Sequence, residues 1–384
     1  MNLKELREGV FHFCPETVCQ HTGISLHRLE SIENGDAPDI AEIESLATIY
    51  GIPSDILSEL PIQLSPDFNV QILARRNEYQ EWNEHIRYRI VQISSAARSL
   101  ANLRGMVPPQ GNLHDIESKL PPLPRLLGSD QPWRQGRELA NAFRRHFNLG
   151  ESPIISVRDL VLNFGSISLL YCKLGENGPA GLTFASSQQG VVLALNIDGR
   201  NTNPTARRVS LAHELCHVWA DWKRTEPLAT VSRYPNQQQL EVEQRANAFA
   251  IRLLCPESVI KRHLDESKNP EKTTEFLINQ FGLPYSAVRN YLSHTCSVSI
   301  PERPLRNIGT EQSWEKREAL EGVLHFPIPE VSLERRTLVA RHAAHLYAEG
   351  RIPRDCFAEM LGVPPSKHLE SILNFFDIAP PDIQ

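Results

Sequence analysis

Residues 213–217 read His-Glu-Leu-Cys-His, and this run constrains the chain more than any other. Histidines four apart lie on one face of a helix, one turn above each other. Both imidazoles then reach a single zinc ion, provided the run is helical. The glutamate between them, Glu214, lands beside a metal-bound water, where a general base is needed. The flanking sequence ARRVSLAHELCHVWADW at 206–222 supplies the helix. Val209, Leu211, Ala212, Leu215, Val218 and Trp219 recur at helical spacing, with no Gly or Pro inside. Thr205 or Ser210 is the expected cap near its start. The five residues alone leave a second reading open: a buried helix with two satisfied histidines and a surface glutamate.

Zinc needs a third protein ligand and a fourth position left open. A continuation of the motif as x-x-Gly-x-x-His is closed, because position 220 is Ala and position 223 is Lys. The alternative is a ligand from a second helix. EVEQRANAFAIRLLCP at 241–256 is a strong helical pattern stopped by Pro256. Glu243, Ala246, Asn247 and Ala250 share one face at spacings of three and four. The small residues allow close packing on the first helix, and Glu243 then points into the shared interface, while Glu241 points elsewhere. Solvated acids at a helix start, favoured by its dipole, are the competing explanation.

RRVSLAHELCHVW, followed by E-x-x-A-N-x-F-A-x-x-L-L-x-P at 243–256, resembles the ImmA/IrrE family of metallo-endopeptidases. The stretch 136–200 agrees in order. It gives a helix (GRELANAFRRHFNL), a second helix (VRDLVLNFGS), a strand (ISLLYC) and a hairpin (AGLTFAS, then GVVLALN). The resemblance covers about half the chain. It implies His213, His217 and Glu243 as metal ligands and Glu214 as general acid/base, with zinc, or alternatively manganese, as the cofactor. It also implies a protein substrate, a transcriptional repressor or similar regulator. Two departures concern the surroundings of the ligands: Asp221 stands where many members carry another His, and Cys216 where Gly is usual. The strand near 190–196, just before the motif helix, is expected to take an extended substrate at its edge. A non-catalytic regulator or scaffold and a toxin-like or antiphage effector are the alternatives.

The start of the chain carries a separate pattern. In residues 15–60, short helical runs are broken by HTGIS and ENGDAPD, and this spacing resembles the XRE/Cro-type helix-turn-helix family. Gly23 sits in the turn, 25–32 is the expected recognition helix, and Gly35 supplies a left-handed stop. Ser25 is the expected N-cap, with Arg28 three residues on. By resemblance, Ser25, His27 and Arg28 face DNA or a protein partner. Charge argues against DNA: residues 1–60 hold three cationic residues (Lys4, Arg7, Arg28) against eleven acids, a balance of −8. Affinity for the phosphate backbone comes from Lys and Arg. A protein-docking or dimerisation role, including a homodimer, is therefore preferred over operator binding.

The 384 residues suggest two to three units. We divide them into 1–61 (helix-turn-helix), 62–132 (helical connector and Pro-rich linker), 133–258 (peptidase core), 259–299 (its helical tail) and 300–384 (a helical region without chemical assignment). The expected fold class is mainly α with a small antiparallel sheet, an α+β zincin-like core beside an all-α domain. Ile86, Ile90, Ile93 and Ala97 mark the connector as a packing or dimer helix. No run reaches the roughly 20 apolar residues of a membrane span, and MNLKELREGV is not a secretory signal. Seven scattered cysteines without a C-x-x-C pair read as reduced and cytoplasmic. Cys216 and Cys255 flank the metal motifs and are expected to be small buried apolar residues. His342 and His345 lack a carboxylate or thiol in register and are not expected to be ligands.

Overall fold

The computed structural model describes residues 1–59, 61–63, 82–106, 119–125, 131–164, 167–187, 190–232, 241–302 and 312–381. It is mainly helical, with one small four-stranded sheet. The strands are β1 (Ile167–Cys172), β2 (Gly181–Ser186), β3 (Gly190–Asn196) and β4 (Leu228–Ser232). Their order is β1-β3-β2-β4. β2 pairs antiparallel with β3 and with β4, whereas β1 runs parallel to β3. The sheet is thus mixed rather than purely antiparallel. This order also overturns the expected role of 190–196 as an edge: β3 is hydrogen-bonded on both sides, so it has no free backbone to offer a substrate. β1 and β4 are the outer strands.

Alternation along the strands divides their side chains between two cores. Leu170, Leu182, Phe184, Val192, Ala194, Ala229 and Val231 pack with the N-terminal helices, the connector helix Glu84–Met106 and the C-terminal helices after residue 326. Leu169, Tyr171, Ala185, Val191, Leu193 and Leu195 pack with the helices that follow. Both faces are therefore covered, and every strand residue is buried. Ile86, Ile90, Ile93 and Ala97 are buried along the connector helix as their spacing requires, in contact with the rest of this chain. The connector residues 64–81 and linker residues 107–118 and 126–130 lie outside the described residues. Within the linker, Leu120 and Pro121 are buried, and the Pro121 carbonyl accepts from the Trp219 indole at 2.9 Å.

Three helices frame the second face. The motif helix, Pro204–Cys216, starts from Asn203, whose side chain accepts from the Thr205 amide at 2.9 Å, with Pro204 in the first turn. The cap is thus Asn203 rather than Thr205 or Ser210; Ser210 instead donates to Asn201 at 2.9 Å. The glutamate helix, Glu241–Leu254, lies against it. The helix Pro132–His146 crosses the glutamate helix closely at Gly136. A Cβ there would stand 2.3 Å from the Arg245 carbonyl oxygen and 2.8 Å from the Ala248 Cβ, so only glycine permits this approach. No described helix is long and apolar enough to cross a membrane.

Candidate metal centre

The motif helix reaches the sheet through a set of buried amides. Asn201 donates to the Ala180 and Asn196 carbonyls, both at 2.9 Å, and accepts from Ser210 on the helix. Ala180 directly precedes β2, so this bonding ties the start of β2 to the motif helix. The helix then ends on a single π-type turn, His217–Asp221, closed by the Trp222 amide on the His217 carbonyl at 3.1 Å. Such turns are frequent at functional sites. His213 and His217 face the same way, with ring centroids 4.8 Å apart.

Glu243, in the first turn of the glutamate helix, meets both rings. Its Oε2 is 3.1 Å from His213 Nε2 and its Oε1 is 3.3 Å from His217 Nε2. The two Nε2 atoms are 3.0 Å apart. All three residues are buried, and one donor atom from each lies within 4.8 Å of the others. This is the one such cluster of His, Cys, Asp and Glu among the described residues; His342 and His345 are not in it. Glu241 is exposed, so of the two glutamates it is Glu243 that enters the interface.

The donor set suits a divalent cation. Two metal–nitrogen bonds of about 2.0–2.1 Å at a near-tetrahedral angle put the nitrogens about 3.3 Å apart. The observed 3.0 Å lies within a few tenths of an ångström of that. Each ring also has its other nitrogen engaged, His213 Nδ1 with Asn247 Oδ1 at 3.0 Å and His217 Nδ1 with Asp221 Oδ2 at 2.7 Å. Both Nε2 atoms are thereby offered to the centre. Electrostatics agree. Burial opposes a charged His217, yet the Asp221 and Glu243 carboxylates overcome it and push its pKa up to about 10. Burial likewise opposes an ionised Glu243, but the two histidines hold its carboxyl far below the usual range.

Glu214 sits between the histidines, fully buried against β2. The Thr183 hydroxyl donates to Glu214 Oε2 at 2.6 Å, while Oε1 has no hydrogen-bond partner among the described residues. Gly181 makes room for this carboxylate, since a Cβ there would lie 2.6 Å from Oε1. Gly181 and Thr183 share the strand face that looks at the helix, paired across to Ser232 and Thr230 of β4. The hydroxyls of Thr230 and Ser232 are likewise buried without a partner among the described residues. One buried face therefore carries several polar atoms that lack a hydrogen-bond partner among the described residues.

Gly181, Thr183, Arg245 and β4 were not singled out by the sequence reading. LATVS at 228–232, just after Pro227, was the available signal for β4. Cys216 and Cys255 are buried, and burial pushes both thiols up, which fits their expected role as apolar packing. Ser25, His27 and Arg28 lie on the N-terminal helices, separate from this centre. Ser25 and His27 are exposed, and the Ser25 side chain caps the helix Leu26–Glu33 through the Arg28 amide at 3.3 Å. The Arg28 guanidinium is held by Glu42 in two bonds of 2.7 Å and donates to the Ala37 carbonyl at 2.9 Å.

No curated protein and no solved structure matches the chain. Residues 166–293 match the Peptidase M78 family model, described as the IrrE N-terminal-like domain. That span contains β1–β4, both histidines, Glu214 and Glu243, and the match supports a metal-dependent peptidase family.

Proposed function

We propose that the chain is a metal-dependent endopeptidase in which His213, His217 and Glu243 hold a divalent ion, zinc or alternatively manganese, and Glu214 moves the proton. The convergence of three buried donors on one point, with a buried carboxylate beside them, carries this reading. A bound ion supplies Lewis acidity, polarising a peptide carbonyl and making water a nucleophile at neutral pH. The protein residues do the rest. Thr183 holds Glu214 Oε2, which leaves Oε1 to take the proton from water and pass it to the departing amide nitrogen. Asn247 and Asp221 keep the two rings turned so that Nε2 faces inward.

The Glu214→Gln variant should keep its metal and lose cleavage of a protein substrate that the wild type cuts. Normal cleavage by that variant would end the assignment. The resemblance to ImmA/IrrE peptidases supports a transcriptional repressor or similar regulator as the substrate. A non-catalytic regulator and a toxin-like effector remain the competing classes, and an intact ligand set with Glu214 disfavours the first. The cytoplasm, inferred from cysteine usage, suits such a substrate.

For the N-terminal helices we favour protein docking or homodimerisation over operator binding. Of the three cations in residues 1–60, Arg7 is buried on Glu33 at 2.6 Å and Arg28 is clamped on Glu42. Neither guanidinium is free for phosphate. Upstream DNA in a gel shift should therefore show no strongly salt-dependent retention. Tight binding with a steep salt slope would reverse this preference.

A further inference from the structure

Asp221 does more than receive the His217 ring. Its Oδ2 holds His217 Nδ1 at 2.7 Å, and its Oδ1 is ion-paired with the Arg245 guanidinium. Arg245 belongs to the glutamate helix, two residues after Glu243, and its other terminal nitrogen donates to Gln135 Oε1 at 3.1 Å on the helix Pro132–His146. Both partners are largely withdrawn from water, with side chains 11% and 16% exposed. The glutamate helix thus reaches the metal centre at three points. Glu243 touches both rings, Asn247 holds His213, and Arg245 reaches His217 through Asp221.

The two histidines are held unequally. His213 faces a neutral amide, and His217 faces a carboxylate that is itself neutralised by a cation. A carboxylate acceptor fixes the ring and raises the basicity of the nitrogen opposite. Left alone, a largely buried carboxylate would be costly and free to turn. The paired guanidinium removes both problems, and it does so from the helix that must be in place for Glu243 to bind.

We propose that Asp221 and Arg245 form a positioning pair that aims His217 and locks the glutamate helix to the motif helix, so that the three-ligand site is assembled before the ion arrives. Neither residue is a ligand. Arg245 acts only through Asp221. The proposal rests on the metal-site reading given above.

Zinc binding by the full chain tests it, read by competition with a chromophoric chelator. The proteins are wild type, Asp221→Asn, Arg245→Gln and the double variant, each with a thermal melt in the metal-free state. Wild type should bind one zinc ion. Asp221→Asn should bind roughly 10- to 100-fold more weakly. Arg245→Gln should lose less, and the double variant should bind no more weakly than Asp221→Asn alone. In proton NMR of the zinc-loaded protein, the His217 Nδ1 proton should be far downfield in wild type and Arg245→Gln and lose that position in Asp221→Asn. If wild type binds zinc and Asp221→Asn binds it equally well, the positioning role is refuted while the metal site stands. Losses that multiply in the double variant refute the coupling. If Asp221→Asn does not fold, Arg245→Gln decides, and an unchanged zinc affinity there overturns the proposal. Wild type that binds no zinc removes the metal site and this inference with it.

Discussion

Gly181→Ala is the sharpest probe of how the sheet sets the chemistry. Its backbone is ordinary strand, so alanine fits the chain conformation. The added Cβ does not fit the site. It would lie 2.6 Å from Glu214 Oε1, 3.0 Å from Cδ and 3.1 Å from Cγ, where ordinary contact begins at 3.4 Å. The carboxylate must therefore retreat by about 0.8 Å, and it cannot simply rotate, because Thr183 holds its other oxygen at 2.6 Å. A misplacement of about 1 Å at a catalytic group costs on the order of 10²-fold in rate, or about 2.7 kcal/mol of barrier. The overpacking itself should cost about 1–3 kcal/mol of stability. The metal ligands lie on helices and are untouched. The assay compares zinc content, melting temperature and the cleavage rate of a protein substrate that the wild type cuts. The variant should be folded, metal-loaded and about 10²-fold slower. A folded, loaded variant that cleaves at the wild-type rate would show that Glu214 does not do its work from this position.

A second prediction concerns the support of the motif helix from the C-terminal region. Arg208, fully buried one turn before the motif, pairs with Glu318 at 3.0 Å, donates to the Ile154 carbonyl at 2.6 Å and lies 4.0 Å from the Trp314 ring. Burial lowers the Arg208 pKa to about 10, so this cation depends on its partners. Glu318→Ala should destabilise the protein by about 3–5 kcal/mol, as expected when one half of a buried pair is removed. Urea denaturation checks this, and a loss below about 1 kcal/mol would mean that the pair is not buried in solution.

The metal motif was legible because its information is local. Helical spacing alone puts His213 and His217 on one face, whereas spacing on the second helix favours Glu243 over Glu241 for the interface but leaves solvated helix-start acids as the competing explanation. Three strands were legible almost to the residue, because ISLLYC, GLTFAS and GVVLALN are short apolar runs bounded by glycines or polar turns. Their order was not. Pairing is non-local, and nothing in GVVLALN says that it lies between β1 and β2 rather than at an edge. β4 escaped because LATVS is five residues long and mixes small, polar and apolar side chains. The cap is Asn203 rather than either hydroxyl after it, and its local signal is Pro204 at the first helical position. Gly181 and Arg245 act only through contacts with distant residues, so no local pattern marks them.

Zinc-edge anomalous diffraction from crystals grown with zinc tests the central claim most directly. The account requires one strong peak at about 2.0–2.2 Å from His213 Nε2, His217 Nε2 and a Glu243 oxygen, with Glu214 beside it and not bound. A protein that binds its zinc elsewhere, or leaves Glu243 turned away from the two rings, would contradict it.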